Sequence, residues 1–226
     1  MLLYSGPVSL FARKVEIALH EKGLTFDRVM VPFTQQAGYA PKHPVVLLHN
    51  PRGQVPVLID DDIALFDSTL ILEYLEDAYP TPPLYPNSPF GIAKLLELTQ
   101  IIDLYLELAA RRVIPNYFAR KPPPENVAND VRTTLSKGAK AVAKLASFEQ
   151  FLLGDTFTAA DIAAAIHFPL VRTLSSGVLE CDPLGEIPGL PAYLERMEQR
   201  PTLQRIRRDQ AADRPLFFAH LKQQSG

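Results

Sequence analysis

The serine at position 9 has the most direct capacity for chemistry in this chain. It closes the segment Pro7-Val8-Ser9 and precedes an amphipathic stretch over residues 10–24, which predicts a helix beginning just after Ser9. A hydroxyl at a helix N-terminus can donate a hydrogen bond to an anion such as a thiolate, and the helix dipole stabilises the same charge. Serine is also a favoured N-cap residue, so the spacing alone leaves a role in anion stabilisation and a capping role equally open.

Two further motifs could hold a small anionic peptide. In Gln54-Val55-Pro56 the proline opens a predicted strand, at a position where it cannot act as a donor within a central ladder. At Asp67-Ser68 a second helix is predicted to begin, and the unpaired N–H groups of a helix start bind carboxylates. Together with the hydroxyl of Ser9, these motifs describe a site for a small anionic peptide that carries a thiol.

The composition argues against several other classes of protein. The 226 residues have a net charge of −2 and no long basic block, so nucleic-acid binding is not indicated. The one cysteine, Cys181, excludes an internal disulfide framework and fits a reducing cytosol. The five histidines have no metal-ligand spacing, and no stretch approaches the roughly 20 apolar residues of a membrane span. We therefore expect a cytoplasmic protein with no metal, nucleic-acid or membrane partner.

The predicted elements divide the chain into two domains. Residues 1–79 follow the order β-α-β and then β-β-α, which is the order of a thioredoxin-like domain. Prolines break the periodicity on either side of residues 80–90, so we predict a linker there. Residues 91–226 have helical periodicity throughout. The predicted fold class is therefore an α+β domain followed by an all-α domain.

Several residues of the helical part have a structural interpretation. Thr158 and Asp161 have the spacing of a capping box, with aspartate in place of glutamate, and should mark the start of a helix. Pro115 should kink or end the first long helix. His167 lies on an alanine-rich helix, where we expect a buried histidine rather than a catalytic base.

The motifs over residues 2–9, 50–58 and 66–68, together with the segment over residues 151–161, resemble the cytosolic glutathione transferases. The resemblance covers both predicted domains and is greatest to serine-type classes such as phi, tau and theta. It implies the glutathione transferase fold, with glutathione as co-substrate. It also implies that Ser9 stabilises the glutathione thiolate, with Tyr4 and Ser5 as rival residues.

The same resemblance implies a set of residues that hold glutathione. Val55–Pro56 would be the family's cis-proline bond, which exposes the backbone of Val55 to the cysteinyl unit, and Gln54 would reach the same ligand. Ser68 and the helix start would receive the γ-glutamyl carboxylate. Asp67 departs from the family pattern, because glutamate is usual there and aspartate is one methylene shorter.

The resemblance also implies residues for the glycyl end of glutathione and for the second substrate. Lys42 matches the phi-class lysine that holds the glycyl carboxylate. The electrophile site should lie between the domains and be lined by the first long helix of the helical domain. The candidate residues there are Tyr105, Arg112, Tyr117 and Phe118. An apolar helix face of this kind also suits a protein core, and the sequence leaves that alternative open.

From these features we expect an enzyme of detoxification, a glutathione transferase that activates reduced glutathione for attack on a small electrophile or peroxide. By the same resemblance we expect a homodimer. The alternative is a non-catalytic descendant resembling the RNA-polymerase-associated stringent starvation protein, whose opening Ser-Gly-Pro stretch is similar. The serine-like hydroxyl is lost in that family, so the presence of Ser9 favours an enzyme.

Overall fold

The computed structural model describes residues 1–31 and 43–222, and its first compact unit combines residues 1–83 with residues 200–226. The described residues of this unit form a four-stranded sheet of order β2-β1-β3-β4. Its strands are β1 (Leu2–Ser5), β2 (Asp27–Met30), β3 (Val57–Asp60) and β4 (Ile63–Phe66). β1 pairs with β2 in parallel, whereas β1 with β3 and β3 with β4 are antiparallel. This mixed sheet confirms the predicted thioredoxin-like domain.

Four helices are described in the same unit. They are α1 (Leu10–Glu21), α2 (Pro44–His49), α3 (Ser68–Ala78) and α10 (Pro201–Lys222). α1 contacts β1, α3 and α10, so residues 12–19 are all buried. The buried set includes Arg13, Lys14 and Glu16, and charges in such a position must be paired to be tolerated.

For Arg13 and Glu16, charged residues of α1, β2 and α10 form a network that satisfies this requirement. The guanidinium of Arg13 donates to Glu16 Oε2 at 2.5 Å and also to Asp213 Oδ2 on α10. Arg28 lies 3.0 Å from Asp213 Oδ2 and 3.3 Å from Glu16 Oε2. We call these four residues the α1–α10 ion network. Its two positive and two negative groups balance, and they join the first helix of the chain to the last.

The hairpin of β3 and β4 is held by the carboxylate of Asp60. The hydroxyls of Tyr74 and Tyr79 donate to Asp60 Oδ2 at 2.8 and 2.6 Å, which joins α3 to the turn. Burial, followed by the hydrogen bond to Asp60, raises the pKa of Tyr74 to about 12. Asp61 occupies the turn with φ of 50°, a left-handed conformation that aspartate tolerates better than most residues.

The second compact unit, residues 84–199, is helical. It contains α4 (Pro89–Gln100), a π-helical segment (Ile101–Glu107), α5 (Leu108–Arg111), α6 (Ile114–Ala119), α7 (Glu125–Leu145), α8 (Ala159–Val178) and α9 (Leu190–Glu198). α5 ends at Arg111, and Pro115 lies in the first turn of α6. Proline is tolerated there because the N–H that it lacks has no partner within a helix at that position. The predicted all-α domain is confirmed by this unit.

The π-helical segment packs against both α7 and α8. α7 contacts it beside Gly138, where an added Cβ would lie 2.8 Å from Leu106 Cδ2 and 3.2 Å from the Tyr105 carbonyl oxygen. A residue larger than glycine would therefore require the Leu106 side chain to move and the backbone at Tyr105 to shift slightly. The segment itself was not predicted, because a uniform helical period was expected across it.

The start of α8 is a capping box, as predicted from Thr158 and Asp161. The buried carboxylate of Asp161 accepts hydrogen bonds from the Thr158 N–H at 2.8 Å and the Thr158 hydroxyl at 3.0 Å. It also accepts from the Leu152 N–H at 2.9 Å and the Tyr193 hydroxyl at 3.0 Å. Asp161 thus joins α8, α9 and the turn before α8.

The division of the chain differs from our prediction at the C-terminal end. We assigned residues 91–226 to one helical domain, whereas residues 200–226 group with the first unit. Arg200 forms a two-pronged ion pair with Glu21 at 2.7 and 2.6 Å, where α10 joins the end of α1. Next to it, Lys22 Nζ donates to Glu76 Oε2, the Tyr79 carbonyl and the Pro82 carbonyl at 2.7, 2.8 and 3.0 Å. The chain leaves the first unit after Pro83 and returns at Arg200, and side chains at the C-terminal end of α1 hold residues next to both points.

Among the helices of the described residues, none is long and apolar enough to cross a membrane.

Candidate functional site

Ser9 caps α1 through its hydroxyl oxygen. Its backbone is extended (φ −80°, ψ 105°), and its Oγ accepts a hydrogen bond from the Ala12 N–H at 3.2 Å. The residue is 8% exposed. In the described part of the chain, no residue accepts a hydrogen bond from this hydroxyl. Capping uses a lone pair of the oxygen, so the same group can still donate to an anion beside the helix start.

The two rival residues, Tyr4 and Ser5, have structural partners. The buried hydroxyl of Ser5 donates to Glu16 Oε1 at 2.7 Å and so belongs with the α1–α10 ion network. The Tyr4 side chain packs in the core of the sheet, with its ring centroid 5.1 Å from that of His43. Of the three residues, Ser9 is the one with an uncommitted donor at a helix start.

The loop before β3 is shaped by a buried asparagine that our sequence analysis did not identify. Asn50 Nδ2 donates to the Gln54 carbonyl at 2.8 Å, and its Oδ1 accepts from the Arg52 N–H at 3.0 Å. Gly53 adopts φ of 62° and donates its N–H to the Asn50 carbonyl at 2.7 Å. The Asn-Pro-x-Gly sequence of this loop is typical of a turn and could have indicated the role of Asn50.

This loop delivers Gln54, Val55 and Pro56 to the start of β3. The Val55–Pro56 peptide bond is cis. The side chain of Gln54 is exposed, whereas Val55 and Pro56 are buried. Within the described residues, no hydrogen bond involves the backbone of Val55. Its N–H and C=O are therefore available to pair with an extended peptide.

Asp67 and Ser68 form the start of α3. Asp67 has φ of 74°, and its Oδ1 accepts a hydrogen bond from the Thr69 N–H at 3.0 Å, so it is the N-cap. Ser68 is buried in the first turn. Lys14, buried on α1, donates from Nζ to Thr69 Oγ1 at 3.1 Å and brings a cation to this helix start. We did not predict Lys14, because a lysine on an amphipathic helix is usually solvated.

The sheet register explains why these motifs lie at one end of the sheet. Tyr4 pairs with Val57, and Val57 pairs with Phe66. The end of β1, the start of β3 and the end of β4 are thereby neighbours, and each predicted motif follows or precedes one of these points. The register thus brings together the segments that carry Ser9, Val55–Pro56 and Asp67-Ser68.

The remaining predicted residues are placed as follows. Lys42 lies outside the described residues. Arg112 forms an ion pair with Asp130 on α7. The rings of Tyr117 and Phe118 on α6 contact each other edge to face, with centroids 5.7 Å apart. Tyr105 is exposed on the π-helical segment. The assignment of these four residues to an electrophile site stays a prediction.

His167 is completely buried, as predicted, with Nε2 3.3 Å from Asp103 Oδ1. In the described part of the chain, no group of three or more His, Cys, Asp and Glu residues could hold a metal ion.

Comparison with known proteins agrees with this architecture. The family model of the glutathione S-transferase N-terminal domain matches residues 3–83, and that of the C-terminal domain matches residues 103–201. A glutathione S-transferase of Pseudomonas putida (strain F1) is 31% identical over 220 residues, which cover 97% of each chain. A stringent starvation protein A homolog of Haemophilus influenzae is 29% identical over 204 residues, 88% of this chain and 86% of the homolog.

A solved structure agrees with these relatives. The glutathione S-transferase of Methylobacterium radiotolerans in complex with glutathione sulfonate has a TM-score of 0.69 and 30% identity, and the match covers 90% of this chain and 92% of that one. Both domain models match and one relative is similar along nearly the whole length, so this chain belongs to the glutathione S-transferase family.

Proposed function

We propose that this protein is a glutathione transferase that binds reduced glutathione at the end of the sheet and activates its thiol. The observation that carries the proposal is the hydroxyl of Ser9 at the start of α1, whose proton no described residue accepts. The relatives support the ligand class, because one similar structure contains glutathione sulfonate.

The proposed pose uses each motif for one part of the peptide. The γ-glutamyl carboxylate lies at the start of α3, near Ser68, where helix N–H groups and the cation of Lys14 favour an anion. The backbone of Val55 pairs with the cysteinyl unit, and Gln54 and Asp67 contact the polar groups beside it. This arrangement leaves the sulfur for the hydroxyl of Ser9. Lys42 remains our proposal for the glycyl carboxylate.

The energetics are within the reach of one hydroxyl and one helix. A thiol with an ordinary pKa of about 8.5 is only a few per cent ionised at pH 7. Lowering the pKa by about two units requires about 2.7 kcal/mol of preferential stabilisation of the thiolate. A hydrogen bond to a charged group contributes roughly 1.5 to 3 kcal/mol, and the helix dipole adds to it.

The thiolate would then attack a small electrophile or a peroxide. We propose that Tyr105, Arg112, Tyr117 and Phe118 contribute to the site that holds this co-substrate. Three of them are aromatic, which suits apolar electrophiles, and the protein would act in cytoplasmic detoxification.

The second function to test is a non-catalytic role like that of the stringent starvation protein. Its support is the H. influenzae homolog, which is similar over 88% of this chain. The two functions differ in their requirement for an activated thiol. The experiment is to titrate the ultraviolet absorbance of the thiolate against pH in the protein saturated with glutathione. An enzyme lowers the thiol pKa by about two units relative to free glutathione, whereas an unshifted titration curve contradicts the proposal.

Calorimetry provides the matching control for binding. S-methylglutathione keeps every peptide contact but has no ionisable thiol, so it should bind at the same site and give no thiolate absorbance. If neither peptide binds, the proposed site is wrong, and the non-catalytic role is favoured.

We also propose that the protein is a homodimer, in which the first unit of one subunit packs on the helical unit of the other. Each unit has exposed large apolar side chains, which dimerisation would bury: Ile63, Phe66 and Leu70 in the first, and Phe90, Leu104 and Leu108 in the second. Sedimentation velocity at micromolar concentration should give twice the 25.1 kDa chain mass. A single species at the chain mass would contradict the dimer.

A further inference from the structure

The first unit contains a cavity whose lining includes none of Ser9, Val55 and Ser68. It has a volume of about 750 Å³ and is bounded by the C-terminal half of α1, the turn into β2, the strand itself and the first turns of α10. All of its lining residues belong to the first unit. Neither the family resemblance nor the proposed function uses it.

The charge in this cavity can be counted residue by residue. Glu16 and Arg28 line it, but both belong to the α1–α10 ion network, whose four charges cancel. The other charged lining residues are Arg205, Arg208 and Asp209 on α10, which sum to one positive charge. The cavity therefore has an excess of positive charge near neutral pH.

The two arginines of α10 have unused donors. In the described part of the chain, no ion pair or hydrogen bond joins the guanidinium of Arg205 or Arg208 to another residue. Each guanidinium offers five N–H donors in a planar fork that suits the oxygens of a phosphate. The hydroxyls of Thr25 and Thr202 line the same cavity and can donate to the same group.

Another part of the lining is apolar. Leu24, Phe26 and Pro201 contribute to it, and the Phe26 ring lies 5.1 Å from the ring of His20. A volume of about 750 Å³ exceeds what an inorganic anion requires and suits a small organic molecule. The cavity thus offers donors to an anionic group and an apolar surface to the rest of the ligand.

We propose that this cavity is a binding site for a small organic phosphate, whose phosphate contacts Arg205 and Arg208 and whose apolar part packs on Phe26 and Leu24. The site is independent of the glutathione site, because it shares none of that site's residues.

His20 reports on occupancy of the cavity. It faces Glu16 on its own helix, Arg28 on β2, and Arg205 and Asp209 on α10. Burial, and then the charge of Arg205, lower the pKa of His20 below its ordinary value. A bound phosphate would offset the charge of Arg205 and accept a hydrogen bond from the protonated ring. Binding should therefore raise the pKa of His20, with uptake of a proton.

The test is calorimetry with phenyl phosphate as the probe, with the glutathione site saturated by S-methylglutathione. We expect one molecule to bind per chain, and inorganic phosphate to bind more weakly because it lacks the ring. Arg205→Gln should weaken phenyl phosphate binding by about tenfold or more, since one charge-assisted hydrogen bond is lost. Arg214→Gln removes the same charge from an exposed position of α10 outside the cavity and should change the affinity by less than about twofold.

Nuclear magnetic resonance of His20, assigned with His20→Gln, gives a second readout. Its ring signals should titrate at higher pH when phenyl phosphate is bound. The proposal is overturned if phenyl phosphate shows no binding up to about 10 mM, or if Arg205→Gln and Arg214→Gln have equal effects. Displacement of phenyl phosphate by S-methylglutathione would also overturn it, because the probe would then occupy the glutathione site.

Discussion

The helix starts at Ser9 and Thr158 both have a hydroxyl residue at the N-cap, but they differ in how its polar atoms are used. At Thr158 the hydroxyl donates to the Asp161 carboxylate, which also accepts from two backbone N–H groups and a tyrosine. At Ser9 the oxygen accepts one N–H, and the proton has no acceptor among the described residues. We call the Thr158 cap closed, because Asp161 accepts its proton, and the Ser9 cap open, because no described residue accepts its proton. A hydroxyl before a helix is thus a sign of chemistry only where its proton is left unused.

The largest expected effect is on stability and comes from removing the Asp161 carboxylate at the closed cap. Asp161→Ala leaves the four donors that bond to this buried carboxylate without their acceptor, so the free energy of unfolding should fall by about 3 kcal/mol or more. Urea titration measures the loss. Asp130→Ala, which removes an exposed aspartate of the same unit, should cost less than about 1 kcal/mol. Equal losses for the two variants would contradict the central role of Asp161.

The next effect tests the open cap. Ser9→Ala should reduce the thiolate-dependent rate with a standard electrophile by about 30- to 150-fold, since 2 to 3 kcal/mol of thiolate stabilisation is lost. Glutathione affinity should fall much less. Ser88→Ala is the matched control, because Ser88 caps α4 through the Gly91 N–H at 3.0 Å. A rate loss of the same size in both variants would reduce Ser9 to a structural cap.

A smaller effect is expected at the second helix start. Ser68→Ala should weaken glutathione binding by about tenfold, because a hydrogen bond to the γ-glutamyl carboxylate is lost. Calorimetry with S-methylglutathione measures it without interference from the thiol. Ser147→Ala, in the other unit, should leave the affinity unchanged. If Ser68→Ala binds within twofold of the wild type, the carboxylate lies elsewhere.

The smallest effect separates the charge of Asp67 from its capping bond. Asp67→Asn keeps an oxygen for the Thr69 N–H, and asparagine tolerates the left-handed conformation, so stability should change by less than about 0.5 kcal/mol. Loss of the exposed charge should weaken glutathione binding by about two- to fivefold. Asp62→Asn, at the exposed hairpin turn, is the control for net charge. An unchanged affinity would make Asp67 a cap alone.

Local signals predicted the elements that depend on neighbouring residues. The helix start after Ser9, the helix start at Asp67-Ser68 and the capping box of Thr158 all depend on interactions within a few residues. The ordering of the strands followed from the resemblance to a known fold. The site motifs could be placed in the sequence, but their meeting at one sheet end required the register.

The features that the sequence did not predict depend on distant partners. Arg13 and Asp213 are separated by 200 positions, so nothing near either residue indicates their pairing. Lys14 has the sequence context of a solvated lysine and is buried by α3. The π-helical segment packs against α7 at Gly138, a contact that no local pattern encodes. In each case, tertiary contacts override the local preference.

The ion pairs of α10 have a consequence for the order in which the protein folds during its synthesis. Residues 84–199 are contiguous and can fold as soon as they leave the ribosome. The first unit must wait for residues 200–222, because Arg13 lacks its Asp213 partner until α10 emerges. The unit that contains the N-terminal residues is therefore the last of the two to finish folding. Nascent chains released before residue 213 would expose the face of α1 that α10 covers and leave Arg13 without Asp213, and such exposed surface favours binding by chaperones.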